Sequence, residues 1–279
     1  EAAGVETVML SDHVLLTPKA GAAGRMANPR DYAAPGNQDP FTPWPDSVVL
    51  ASAIAARTST IRIALSALIL PLRHPLHTAT QLATLDLLCG GRLVVQPTVS
   101  WLDEEYAAMG VPFNRRGRIL DEQLALMRAV WAGSPVTFHG EFYDVEDVHL
   151  EPKCVRPEGP RMWFGGQHVH GPILRRLVEY GHGFHPFGTP TPDDLAAIRD
   201  AMTAAGRDPA SIEMIGGIRP RFPADDRPGD LDEAVQAIPA KVAEGYTSIC
   251  FKPSQYTDDV AEVPDLCRRM VAAVESASR

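Results

Sequence analysis

The chain has 279 residues, 45% of them hydrophobic, and a formal net charge of −9 from 26 basic and 35 acidic side chains. Such a length fits one (β/α)₈ barrel domain of roughly 250 residues, and the acidic balance leaves no basic face for nucleic-acid phosphates. No apolar run reaches the ~18 residues of a membrane span, and Cys89, Cys154, Cys250 and Cys267 lack CxxC spacing, so we expect a cytoplasmic protein with reduced cysteines, no metal site, and neither nucleic acid nor membrane as partner.

Glu1–Ala3 reads as the last turn of a helix capped by Gly4, and Val5–Leu10 as a strand. A strand this early, with no strand and helix before it, leads us to expect an N-terminally incomplete domain. Ser11-Asp12-His13 follows at the strand's carboxyl end, where barrel enzymes place side chains that touch substrate. The alternative is that Asp12 and His13 only hydrogen-bond neighbouring loops. Thr17–Pro45, rich in Gly, Pro, Ala and Asn, reads as a mobile loop over the site. Asp46–Thr58 is a helix capped by Asp46, with Val48, Val49, Ala51, Ile54 and Ala55 facing inward.

Ile61–Leu70 is an almost unbroken apolar run, as expected of a strand buried on both faces, and Pro71 and Pro75 end it. Ala79, Leu82, Ala83, Leu85 and Leu88 recur at helical spacing until Gly90-Gly91, and Leu93–Val99 is a second strand. Strand, helix and parallel strand make one βαβ unit, with a right-handed crossover in nearly every known case. Ligands of such units bind at the strands' carboxyl ends, here Ala67–Leu70 and Thr98–Trp101. Trp44 and Trp101 are candidate walls of a substrate pocket; ordinary core packing is the default alternative.

Asp103–Met109 starts a helix, and Arg116–Trp131 is a long amphipathic one. Val136–Leu150 alternates around His139-Gly140 as a small inserted hairpin. Then come a strand at Arg161–Phe164 ending in Gly165-Gly166-Gln167, a helix at Pro172–Tyr180, and a short strand at Gly183–His185. Thr191 or Asp193 caps a helix through Ala205, and Ile212–Ile218 is a strand. Asp230–Glu244 is a helix containing Pro239, Thr247–Phe251 a strand, and Val260–Ser276 the final helix. Seven parallel strands alternate with helices; an eighth, upstream of Glu1, would close the barrel.

Six segments together resemble the luciferase-like flavin enzymes, especially the subgroup using the deazaflavin coenzyme F420. They are SDH at Ser11–His13, SALILPLRHP at Ser66–Pro75, QLATLDLLCGGRL at Gln81–Leu93, WLDEEYAAMGVPFNRRGRILDE at Trp101–Glu122, FHGEFY at Phe138–Tyr143 and WFGGQ at Trp163–Gln167. Their order and spacing along the chain carry the signal, since none is specific alone. The resemblance implies a luciferase-like (β/α)₈ TIM barrel lacking roughly its first 25 to 30 residues, the size of one βα unit. It implies an F420-dependent oxidoreductase, with FMN as the alternative coenzyme, acting on a small-molecule substrate and assembling as a homodimer. Asp12 and His13 match the pair facing substrate and the coenzyme's reactive ring edge, where His13 could pass a proton. Ala67-Leu68 matches a non-proline cis peptide behind the ring, with Thr98 and Ser100 beside it. Gly165, Gly166 and Gln167, opening the loop before the helix at Pro172, would suit a coenzyme phosphate; a plain turn is the alternative.

One departure stands out. Gln96-Pro97-Thr98-Val99-Ser100 occupies a strand end that is glycine-rich in the family, where glycine lets the flavin approach the backbone. Pro97 and Val99 crowd that space. This keeps two rivals open: an FMN-dependent monooxygenase on the same fold, and a barrel that has lost flavin binding and acts as a binding protein or non-redox enzyme.

Overall fold

The computed structural model describes residues 1–32, 34–223 and 226–278. Two compact units emerge: a first of Thr7–Ala20 and Asp39–Trp163, and a second of Glu1–Glu6, Gly21–Gln38 and Phe164–Arg279.

In the first unit, strands and helices alternate as β1 (Thr7–Leu10), α1 (Ser47–Ala55), β2 (Arg62–Ile69), α2 (Pro75–Leu88) and β3 (Leu93–Thr98). They continue as α3 (Asp103–Ala108), α4 (Arg116–Ala132), the hairpin strands β4 (Val136–His139) and β5 (Asp144–Val148), and β6 (Arg161–Phe164). β1 pairs with β2, β2 with β3, and β3 with β6, all parallel. The apolar runs of β2 and β3 are buried on both faces: Ile63, Ala64, Leu65, Leu93 and Val95 have no exposed surface. Helix α2 packs against both α1 and α4.

Local chemistry sets the boundaries. The Asp46 carboxylate accepts from the Val48 and Val49 amides and starts α1, as its position implies. Val49, expected inward, is instead exposed, because the buried stripe of α1 runs through Val48, Ala51 and Ala55. The hairpin is held by one carboxylate: Glu122 accepts from the amides of Glu141, Phe142 and Tyr143. A Cβ at Gly140 would lie 2.0 Å from Glu122 Oε1, so any larger residue would displace that carboxylate.

The second unit continues with α5 (Gly171–Tyr180), β7 (Gly183–Phe184), α6 (Pro192–Ala204) and β8 (Glu213–Gly217). It ends with α7 (Leu231–Ala234), α8 (Ile238–Ala243), β9 (Ser248–Cys250) and α9 (Val263–Ala277). β7 pairs with β8 and β8 with β9, again parallel. Thr191 and Asp194 form a reciprocal capping box on α6. The helix expected across Asp230–Glu244 is two helices joined by a tighter turn at Val235–Ala237. Pro239 has no amide to donate, so it takes a first-turn position where none is needed. Ile218, Leu231, Ala234, Ile238, Tyr256, Leu266 and Met270 form the core around these helices.

The loop expected to move freely is pinned over part of its length. Arg30 pairs with Asp258 through Nε at 3.1 Å and Nη2 at 2.5 Å, and its Nη1 reaches Asp226 Oδ1 at 3.0 Å. Ala33 of that loop lies outside the described residues. Among the described residues no helix is long and apolar enough to cross a membrane.

Trp131 makes the first unit sensitive at one glycine. Its ring is 1% exposed and its indole N–H donates to the Ala79 carbonyl at 3.1 Å. Gly159 has φ +93°, and a Cβ there would fall 2.2 Å from the ring. Gly159→Ala therefore combines left-handed strain of ~1–2 kcal/mol with overpacking of ~1–3 kcal/mol. Chemical denaturation should show a loss of that summed order; a loss of only the ~1–2 kcal/mol of strain would mean that the ring moves aside.

Candidate active site

The carboxyl end of β1 leads directly into Ser11, Asp12 and His13, and each of the last two is held by a partner distant in sequence. Asp12 is 6% exposed. Arg73 grips its carboxylate with both terminal nitrogens, Nη1 to Oδ2 at 2.8 Å and Nη2 to Oδ1 at 2.9 Å. The Ile69 amide donates to Oδ2 at 3.0 Å and the Ser47 hydroxyl to Oδ1 at 3.2 Å. Each oxygen thus accepts two hydrogen bonds, which leaves Asp12 little capacity for a substrate. Arg73 is itself oriented, because the Gln123 amide bridges its carbonyl at 2.8 Å and the Tyr143 hydroxyl at 2.9 Å.

His13 is arranged differently. Its Nδ1 lies 3.2 Å from Glu105 Oε2, and Glu105 has no exposed surface. The other Glu105 oxygen accepts from the Val14 amide at 2.6 Å and the Leu15 amide at 3.3 Å. A carboxylate facing Nδ1 fixes the imidazole proton on that atom and leaves Nε2 as the acceptor. The Trp44 ring meets the imidazole edge-on, with centroids 4.9 Å apart and planes at 79°. Trp44 Nε1 is buried without a hydrogen-bond partner beside it.

The whole first turn of α3 serves this loop. Asp103 pairs with Lys19 at 2.6 Å, Glu104 accepts from the Thr17 hydroxyl, and Glu105 takes His13, Val14 and Leu15. Acidic side chains there also suit the positive end of the helix dipole.

At the end of β2 the cis peptide falls at Ser66–Ala67, one bond before the expected Ala67–Leu68. The β2–β3 register shifts at the same place: Ser66 faces Gln96 and Leu68 faces Pro97, so Ala67 is the extra residue. Ser66 Oγ donates to Gln96 Oε1 at 2.6 Å. Leu68 is fully buried, while Ala67, Thr98 and Trp101 are half-buried. Ser100 has a left-handed backbone, φ 56°, and its hydroxyl is buried with no partner.

Gly165, Gly166 and Gln167 lie in the second unit. A Cβ at Gly165 would come within 1.8 Å of the His185 carbonyl oxygen, so glycine is required by chain packing there, whatever it binds. The Gly166 carbonyl accepts from Phe187 N–H at 3.1 Å. Helix α5 begins without a side-chain cap and carries Pro172 in its first turn, which removes one donor from an anion cradle. Nearby, Cys250 Sγ lies 3.9 Å from His185 Nε2. Burial pushes that thiol up to about 11 and the imidazole down to about 4, so the pair is neutral and packs as a structural contact.

Arg73, Glu105 and Ser47 were not identified from sequence, although Arg73 lies in the PLRHP segment and Glu105 in WLDEEY. A signal was available: a strand end followed within a few residues by a lone arginine, and another followed by an acidic triplet.

Comparison with known proteins places the chain. A family profile described as luciferase-like monooxygenase matches residues 1–258. An uncharacterized protein of Mycobacterium tuberculosis is 32% identical over 189 residues, covering 66% of this chain and 64% of that protein, less than two thirds of its length. The FMNH(2)-dependent dimethylsulfone monooxygenase of Pseudomonas putida is 32% identical over 124 residues, 43% of this chain and 34% of that enzyme. An F420-dependent secondary alcohol dehydrogenase, solved with an F420–acetone adduct, superposes with a TM-score of 0.75 at 17% identity, covering 98% of this chain and 91% of that one. That likeness shows the fold, an α/β architecture of the luciferase-like TIM-barrel kind, and with the profile match it follows that this chain belongs to the luciferase-like monooxygenase family.

Proposed function

We propose that the protein is an oxidoreductase that transfers hydride between reduced F420, or a flavin, and a small organic substrate, with His13 moving the proton. The coenzyme supplies the hydride chemistry; the protein supplies binding, orientation and proton handling. The observation that carries the reading is the His13–Glu105 pair, which presents Nε2 as an oriented acceptor next to the edge of Trp44. Trp44 Nε1, a buried donor without a partner, is suited to a substrate oxygen.

The residues of the first unit fit a coenzyme ring. The orphaned Ser100 hydroxyl at a left-handed turn leaves one buried polar group to satisfy, with Thr98, Ala67 and Leu68 around it by resemblance. Pro97 is buried within β3 opposite Leu68, so that wall is more closed than a glycine would leave it. For Gly165, Gly166 and Gln167 of the second unit, a phosphate-binding role rests on the resemblance alone, with Gly171 as the first amide of α5. F420 is preferred over FMN on the SDH and PLRHP segments, and relatives of both kinds support the coarser reading. Fluorescence titration with F420 and with FMN tests it, and failure of both to bind at micromolar concentration would overturn it. Oxygen consumption with reduced FMN and no F420 binding would instead favour the monooxygenase.

Asp12 is a positioning residue here, since its acceptor capacity is used by Arg73, Ile69 and Ser47. Asp12→Ala would leave the Arg73 guanidinium buried without its partner, at a cost of ~3–5 kcal/mol. Stability should fall by that order in chemical denaturation; full stability with lost turnover would return Asp12 to a catalytic role.

His13→Ala should keep coenzyme affinity and lower turnover by roughly 10²–10⁴-fold. Glu105→Gln disturbs the Nδ1–H tautomer and should lower kcat with little change in KM. Because Glu105 acts through His13, the double variant should be no slower than His13→Ala alone. Multiplicative losses would show that Glu105 acts independently.

A further inference from the structure

We propose that the loops after β8 and β9 form a seat for a small oxyanion, a carboxylate or phosphate monoester, held by Arg219 and Lys252 around the ring of Tyr32. The register of these parallel strands brings the two cations together. Gly217 faces Cys250, so Arg219 and Lys252 each stand two residues beyond the same rung, and neighbouring strands lie about 4.8 Å apart. Arg219 Cζ is 4.8 Å from the Tyr32 centroid and Lys252 Nζ is 5.5 Å from it. The carboxyl ends of parallel strands are where such folds bind ligands.

Among the described residues the charges there are unbalanced. Asp31 reaches Arg219 only at 3.8 Å, and Asp226 and Asp258 are engaged by Arg30. Lys252 is half-buried and has no carboxylate within ion-pair distance among the described residues. Burial holds its ammonium below the ordinary lysine range, with Asp31 opposing. A tyrosine face offsets part of the cost of a confined cation; it does not neutralise two of them. An anion would.

A second observation points the same way. The Tyr256 hydroxyl is buried without a partner, and the Gln255 amide beside it in sequence is fully buried with neither oxygen nor nitrogen partnered. Tyr32 and Tyr256 interact electrostatically, and burial pushes each phenol up to about 12, so both remain protonated donors at neutral pH. The Arg30 clamp, which ties residue 30 to the loops carrying Asp226 and Asp258, fixes Tyr32 two residues away.

The seat does not depend on the oxidoreductase reading and is tested without turnover. Inorganic phosphate is titrated into the coenzyme-free protein at constant ionic strength and followed by calorimetry and thermal melting. Saturable binding is expected, weakened roughly ten- to a hundredfold by Lys252→Met and by Arg219→Gln, and unchanged by Lys241→Met on α8, whose partner is Glu244. Should Lys252→Met fail to fold, Arg219→Gln at its exposed position carries the test. No saturable binding, or binding that ignores both variants, overturns the seat. F420 or FMN is then titrated in saturating phosphate: undiminished coenzyme affinity is expected of a separate anion seat, and competition overturns it in favour of the coenzyme's own phosphate.

Discussion

The bidentate contact between Arg73 and Asp12 is the constraint on which the first unit's site depends. One carboxylate ties the end of β1 to the start of α1 through Ser47 and to the end of β2 through Ile69, with the guanidinium of Arg73 closing the ring of contacts. The Asp12 side chain is 1% exposed and that of Arg73 15%. A pair so withdrawn from water is costly to form and more costly to break on one side. Its use is geometric: it holds the β1 and β2 ends in one arrangement, and the direction of His13 follows from that.

Residues 13–19 would otherwise leave β1 as a loop with unsatisfied amides. The first turn of α3 holds that loop: Glu105 accepts from the Val14 and Leu15 amides, Glu104 from the Thr17 hydroxyl and Asp103 from the Lys19 ammonium. The arrangement does two things at once. It caps the loop with charge-assisted hydrogen bonds, and it spends a fully buried carboxylate on the orientation of one imidazole. Asp12 and His13, adjacent in sequence, therefore have opposite characters: the first is saturated, the second retains a free acceptor.

In the second unit polar groups are handled in two ways. His185 and Cys250 are neutral under burial and meet across a glycine pair, since Gly217 places no side chain near Cys250 Sγ. Among the described residues, Lys252 has no carboxylate within ion-pair distance and the buried Tyr256 hydroxyl no hydrogen-bond partner, both in the segment that follows β9. Buried polar groups that lack partners are uncommon in folded proteins, and Gln255 and Tyr256 after β9 are two of them.

Much of this was legible from sequence because it is local. The apolar run at Ile61–Leu70, the Asp46 and Thr191 caps, the Gly4 turn with φ +81° and the hairpin at Val136–Leu150 depend on neighbours a few residues away. The order of motifs was sufficient to expect the luciferase-like fold. Tertiary structure decided the rest. Glu105 lies 92 residues from His13, and Arg73 61 from Asp12, so no spacing rule could pair them. An acidic triplet at a helix start reads as a solvated first turn until a loop is packed onto it. The break before Pro239, the outward face of Val49 and the register shift at Ala67 depend on which side of an element the core lies, and that is settled only when the elements pack.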